Sequence, residues 1–264
     1  FAMHILLMNL NPEFSEGDQQ TLFLARALVS EACRTVLLCA EGSRLHHYAL
    51  KSDLEVLPFS PGAWGKMTAR LRLRMFFRRN PGKWVLHAHD DAAAALACRL
   101  ARKSGDLFPM NTRHNPARIT DTKLGDKIRP SRVVACETQE IAYVMAEAKV
   151  LPSALKIVHG GIDARCYPKR LQRNDNHIIL ACTGRLREGK GHEQLIRALA
   201  SFAQAAWLPP WELRIPGSGP MFQYLLDVAK DVGVASHLAF PGGQAARVRR
   251  PHCARRVAPP HTVR

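Results

Sequence analysis

Residues 177–199, HIILACTGRLREGKGHEQLIRAL, decide how the chain is read. The segment opens with a short apolar run, His177 to Cys182, bounded by polar residues as a buried strand would be. A turn dense in glycine and charge follows, Thr183-Gly184-Arg185-Leu186-Arg187-Glu188-Gly189-Lys190-Gly191. After it, Leu195, Ile196 and Leu199 recur at helical spacing. Strand, glycine turn and helix together build an anion site. The glycines let backbone N–H groups approach, and the helix N-terminus adds its dipole. Arg185 and Lys190 bring positive charge to the same turn, so a nucleotide or a sugar phosphate is the expected guest.

Two known layouts share this pattern. Gly184, Gly189 and Lys190 fit G-x-x-x-x-G-K, but Gly191 stands where a P-loop NTPase places the Ser or Thr hydroxyl for Mg²⁺. No apolar strand ending in an Asp offers itself as the metal's other holder. The second layout is G-R-L-x-x-x-K-G, preceded by a strand and followed by H-E-Q-L-I-R-A-L. It resembles the donor-site turn of GT-B glycosyltransferases of the large retaining family 4. The resemblance implies that Arg185 and Lys190 clamp the diphosphate of a nucleotide sugar in a donor site that includes Gly184. A solvated turn with surface charges is the plain alternative for this stretch by itself.

At 264 residues the chain can form one large or two small domains with real cores. A hydrophobic content of 47% with 7% aromatics fits an α/β protein. No apolar run reaches the length of a membrane span, and the run after Met3 is short for a signal peptide. The cysteines (33, 39, 98, 136, 166, 182 and 253) are scattered with no C-x-x-C, which reads as buried thiols in a reducing cytosol. The net charge of +16 calls for a polyanionic neighbour: nucleic acid, anionic membrane or phosphorylated substrate.

The first half repeats strand and helix in series. Met3 to Leu10 and Thr35 to Ala40 read as strands, with a helix between them bearing Leu22, Leu24, Ala25 and Leu28. This βαβ opening argues for a parallel, doubly wound sheet. The loop PEFSEGDQQ resembles the family's glycine loop after its first strand, with Gly17 as the surviving glycine facing donor phosphate and acceptor; a turn glycine is the plain alternative. Lys83 to Asp90 reads as a strand whose His87 and His89 point the same way and resemble the family's H-x-H segment. Phe108 to His114 resembles the strand tip that carries a His reaching the transferred sugar, here His114 with Arg113 beside it. The resemblance places His87, His89 and Arg113 on the acceptor side. An ordinary loop or structural histidine is the alternative at each position. Further strands are read at Ser131 to Cys136 and Lys156 to His159, and Gly160-Gly161-Ile162-Asp163 with Tyr167-Pro168 resembles the fingerprint that closes the first domain.

Between them, Trp64 to Arg79 combines Lys66, Arg70, Arg72, Arg74, Arg78 and Arg79 with Met67, Leu71, Leu73, Met75, Phe76 and Phe77. Such a segment can lie on an anionic bilayer, with Lys66, Arg70, Arg72 and Arg74 near lipid phosphates and Phe76 and Phe77 in the interface. A packed helix with snorkelling arginines explains it equally. Several members of the resembled family are peripheral membrane enzymes through such a region.

Past the opening stretch, Trp211 to Ile215 reads as a strand running into Pro216-Gly217-Ser218-Gly219-Pro220 and an amphipathic helix that ends at Gly233. Gly217 and Gly219 resemble the family's glycine turn at the donor site, and His237 to Gly242 its next strand. The quoted motifs stop at Gly243. The remainder, rich in arginine and proline, is read as a slipped reading frame or a truncation, with a basic nucleic-acid arm as the alternative.

The expected architecture is two Rossmann-like α/β domains: residues 1–168, a linker at 169–176, an incomplete donor domain at 177–243 and an aberrant tail at 244–264. The resemblance implies a retaining, metal-independent transferase that takes a nucleotide-diphosphate sugar and a cell-envelope glycan or lipid acceptor. Its expected location is the cytoplasm, peripheral at the inner membrane face. The absence of any D-x-D agrees with metal independence. The rival readings are a P-loop NTPase and a non-enzymatic basic protein for nucleic acid or membrane.

Overall fold

A computed structural model describes residues 4–114, 128–164, 177–203, 205 and 207–241. It divides into two compact units, Phe1–Asp163 and Ala164–Arg264. The expected linker, 169–176, and the basic tail, 244–264, lie outside the described residues.

The first unit runs β1 (His4–Met8), α1 (Glu16–Ser30), β2 (Thr35–Ala40), α2 (Arg44–Leu50), β3 (Glu55–Phe59) and α3 (Ala63–Arg79). It continues through β4 (Trp84–Ala88), α4 (Asp91–Ala101), β5 (Leu107–Arg113), β6 (Val133–Cys136), α5 (Gln139–Glu147) and β7 (Leu155–Ile157). All pairings are parallel, in the order β3-β2-β1-β4-β5-β6-β7. Parallel strands carry helices on both faces, so central strands are apolar throughout; every residue of TVLLCA in β2 is buried. The strand order turns back between β1 and β4, and open α/β sheets bind ligands at that reversal, beyond the carboxyl ends. Asp90 ties this point together. One carboxylate oxygen accepts from the Ala92 and Ala93 N–H groups at the start of α4, and the other accepts from Leu10 N–H just past β1 (2.5 Å).

α2 and β3 are absent from the expectations above. β3 carries Pro58, which argues against a central strand, but β3 is an edge strand and needs no ladder donor there.

The second unit contains β8 (Ile178–Ala181), α6 (His192–Ala203), β9 (Trp211–Arg214), α7 (Phe222–Asp231) and β10 (Leu238–Ala239). Its parallel strands are ordered β10-β9-β8. Leu186, Ile196, Leu213, Ile215 and Leu225 form the centre of a separate core. α7 ends as expected, with Gly233 just past it at φ 75°, in the left-handed region that suits glycine.

Candidate functional site

The glycine turn of the second unit leaves β8 and lies against the turn that leaves β9. Leu186 N–H donates to the Ser218 carbonyl (3.2 Å), and Met221 N–H donates to the Leu186 carbonyl (3.1 Å). A Cβ on Gly219 would stand 2.3 Å from the Leu186 carbonyl oxygen, and one on Gly217 would stand 2.3 Å from that of Gly184. At Gly217 and Gly219 only glycine permits this approach, which sets the second turn against Gly184 and Leu186 of the first. The Leu186 side chain is fully buried, while Arg185 and Lys190 are exposed. The turn thus anchors on one apolar side chain and presents its cations to solvent. Gly189 and Gly191 have φ of 79° and 77°. An L residue at 191 would be strained, which counts against the P-loop reading, since that loop places Ser or Thr there.

His192 opens α6 and was not among the expected site residues. It is buried beneath Gly184, and its Nε2 finds no partner among the described residues. Burial and then the Lys190 charge hold its pKa below the usual histidine range. Its place directly after K-G was the available signal.

In the first unit a polar cluster spans the carboxyl ends of β4, β5 and β6. His89 Nδ1 lies 3.2 Å from His114 Nε2, and His114 Nδ1 lies 2.6 Å from Glu137 Oε1. The His87 and His89 rings are 4.4 Å apart, which confirms that they share a side of β4. Gly17 sits against this cluster: a Cβ there would fall 2.7 Å from His114 Cδ2. Asp18 starts α1 by accepting from Ser15 N–H (2.5 Å), Ser15 Oγ (2.7 Å) and Asn9 Nδ2 (2.5 Å). The Gly160–Asp163 fingerprint closes the other side. Gln20 pairs with the Gly161 backbone through two hydrogen bonds, and the Glu137 carbonyl accepts from His159 Nδ1 (2.7 Å).

Burial sets the electrostatics here. It pushes His87 down to about 4 and His89 well below the usual histidine range, with neighbouring histidines adding to the effect. The same desolvation raises the Asp18 and Asp90 carboxyls.

Three expected positions differ from the geometry. His87 is buried and spends its Nε2 on Thr112 Oγ1 (2.6 Å), so it faces the sheet interior instead of an acceptor. Arg113 is likewise buried and pairs with Asp91 at the start of α4, because alternation along β5 sends it to the side opposite His114. Phe76 and Phe77, expected at a bilayer, pack edge-on against Trp84 with ring centroids 5.1 and 5.7 Å away. Among the described side chains of α3 the exposed apolar residues are instead Leu71 and Met75, among exposed Arg72, Arg74, Arg78 and Arg79; Arg70 is half-buried. The Lys66 side chain lies outside what is described. Glu137 was missed altogether; its only signal was its place at the tip of the next strand.

A groove of about 530 Å³ opens elsewhere in the first unit, lined by Cys98, Arg102, Lys103, Leu107 and Arg132 and sharing no residue with the histidine cluster. Among the described residues no helix is long and apolar enough to cross a membrane, and no three His, Cys, Asp or Glu side chains are grouped to hold a metal ion.

This architecture, seen in two successive Rossmann-like units, is the GT-B fold, and known structures agree. The chain superposes on the Anabaena protein HepE solved with UDP at a TM-score of 0.74 and 13% identity, covering 91% of this chain and 69% of that one. A glycosyltransferase from Rickettsia africae gives 0.72 at 12% identity, covering 92% and 69%. The lipopolysaccharide outer core galactosyltransferase WaaB gives 0.66 at 10%, covering 94% and 70%. Residues 164–254 match the family described as Glycosyl transferases group 1, the type that the sequence resembles. The match runs past Gly243, where the quoted motifs end. Over 81 residues the chain is 35% identical to a GDP-mannose-dependent alpha-(1-6)-phosphatidylinositol monomannoside mannosyltransferase of Mycolicibacterium smegmatis, which is 31% of this chain and 21% of that protein. The chain thus matches about a fifth of the length of this curated relative.

Proposed function

We propose that the chain transfers a glycosyl group from a nucleotide-diphosphate sugar to a cell-envelope glycan or lipid-linked acceptor, with retention of anomeric configuration and without a metal ion. One observation carries this reading: the Gly184–Leu186 turn, locked against Gly217–Met221, presents Arg185 and Lys190 beside the N-terminus of α6 within the region that matches the family. Two cations and a helix N-terminus there would stabilise a leaving diphosphate as its charge develops. His114, with Gly17 against it, orients the sugar.

Relatives that bind UDP, use GDP-mannose or build lipopolysaccharide support a nucleotide donor and an envelope acceptor. We place the protein in the cytoplasm, peripheral at the inner membrane face, with α3 as the contact through Leu71, Met75 and the arginines around them.

A thermal-shift panel with UDP, GDP, ADP and CDP, each with Mg²⁺ and with EDTA, tests this. A ligand that binds only the folded state raises the melting temperature by mass action. One diphosphate is expected to do so in EDTA as well as in Mg²⁺. A shift that requires Mg²⁺, or none with any diphosphate, would refute the reading.

A further inference from the structure

The His89–His114–Glu137 run admits a single arrangement of protons. Glu137 Oε1 lies 2.6 Å from His114 Nδ1, and a carboxylate can only accept, so Nδ1 must carry the proton. The opposite tautomer would set a nitrogen lone pair against a carboxylate oxygen at that distance. A neutral His114 therefore offers a bare Nε2, 3.2 Å from His89 Nδ1. His89 must then donate from Nδ1, which leaves its own Nε2 bare in a place where no described residue partners it. Were His114 to donate from Nε2 instead, the His89 proton would move to that buried, partnerless nitrogen. An orphaned buried N–H is costly and rare. Every donor in the run is satisfied in one direction only, ending at the carboxylate.

We infer that Glu137 is a positioning residue that fixes the His114 proton on Nδ1, so that Nε2 serves purely as a hydrogen-bond acceptor, filled by His89 until a substrate hydroxyl replaces it. The clause about substrate rests on the glycosyl-transfer reading; the proton arrangement does not. The surroundings leave the ring little choice. Its side chain is only 9% exposed, a Cβ at Gly17 would fall 2.7 Å from Cδ2, and Gly160 stands beside the Glu137 carboxylate, where a Cβ would meet Oε1 at 3.4 Å. The groups facing His114 are thus His89, Glu137, Gly17 and, through the ring stack of β4, His87. Glu137 itself is held from behind by His159, which donates from Nδ1 to its carbonyl.

Long-range ¹H–¹⁵N spectra of the imidazole rings of the full chain, recorded without nucleotide sugar, test this. His114→Asn and His89→Asn spectra assign the peaks. Both rings are expected to be protonated at Nδ1 alone, and Glu137→Ala should convert His114 to a mixture or to the Nε2–H form. Glu137→Gln keeps an acceptor and should restore the Nδ1–H form. A wild-type His114 protonated at Nε2, or a pattern unchanged in Glu137→Ala, overturns the inference. Should Glu137→Ala fail to fold, the wild-type spectrum decides by itself. In turnover assays Glu137→Ala is expected to lose about tenfold to a hundredfold in kcat/KM while the melting shift with nucleoside diphosphate stays the same. A chain that shows the stated tautomers but transfers no sugar refutes the functional reading and leaves this inference standing.

Discussion

The two units place polar groups at the carboxyl edge of a parallel sheet by opposite means. In the first unit the groups are buried and partnered: His87 on Thr112, His89 on His114, His114 on Glu137, Asp18 on Asn9 and Ser15. In the second, Arg185 and Lys190 stand in solvent, and what is fixed is the backbone beneath them, pressed against Gly217 and Gly219. A buried network transmits the loss of any one member to its neighbours, because each leaves an unsatisfied partner. Exposed cations on a turn that is fixed through its backbone can be replaced without opening the core beneath them. The first arrangement couples function to stability; the second separates them.

The largest effect expected from this contrast is on turnover. Arg185→Ala and Lys190→Ala should each lower the transfer rate by about 100-fold to 1,000-fold, with the melting temperature unmoved. Transfer of radiolabelled sugar alongside a melting curve checks both halves, and a melting temperature that falls with the rate would erase the distinction.

Backbone substitutions should show the reverse. Gly219→Ala puts a Cβ against the Leu186 carbonyl and is expected to cost about 1–3 kcal/mol by chemical denaturation. Nucleotide binding should be lost with it. A stability change within error would mean that the Gly217–Met221 turn can move aside, and that the Gly184–Leu186 turn is not fixed by it.

A comparable loss is expected from acid, led in the first unit by His87 and joined in the second by His192. His87 has its pKa lowered from 6.5 to about 4. The unfolded chain therefore takes up a proton that the folded chain refuses, and stability falls as pH drops from 6.5 towards 4. The raised Asp18 and Asp90 carboxyls work in the other direction, favouring the folded state as pH falls further into the carboxylate range. Denaturation midpoints measured across that window for wild type and His87→Gln should converge at the acid end. Parallel curves would show that the histidine is not the source.

The smallest effect belongs to one of the exposed ion pairs of the second unit. Glu193 and Arg197 pair across one turn of α6 at 2.9 Å, both in contact with solvent. Replacing Glu193 with Gln should leave the denaturation midpoint where it was, and a clear drop would mean that the second unit also depends on its charges.

Much of this was legible in the chain itself. The glycines at 217 and 219 were legible because a close backbone approach admits one residue type, and a residue type is what a sequence records. Gly17 and His114 were legible as separate motifs, though not as a contact. Glu137 was not, since its link to His114 crosses from β5 to β6 and follows no fixed spacing. The α3 helix misled for a different reason. Its apolar residues spread over much of the wheel, and among the described side chains only packing divides them into Leu73, Phe76 and Phe77 facing inward and Leu71 and Met75 facing outward. Arg113 was misread because alternation sends it to the side of β5 opposite His114, and His87 because, although it shares a side with His89, it lies further from the strand tip and is spent on Thr112.

β8 has a practical bearing on handling the protein. Among the described residues it pairs with β9 alone, and Ile178 and Ile179 are 38% and 50% exposed. A strand with one neighbour among the described residues and exposed branched apolar side chains is a template that other chains can extend. Concentrated samples should therefore lose solubility through this strand first, and a lysine at position 179 is the change to try before any change of buffer.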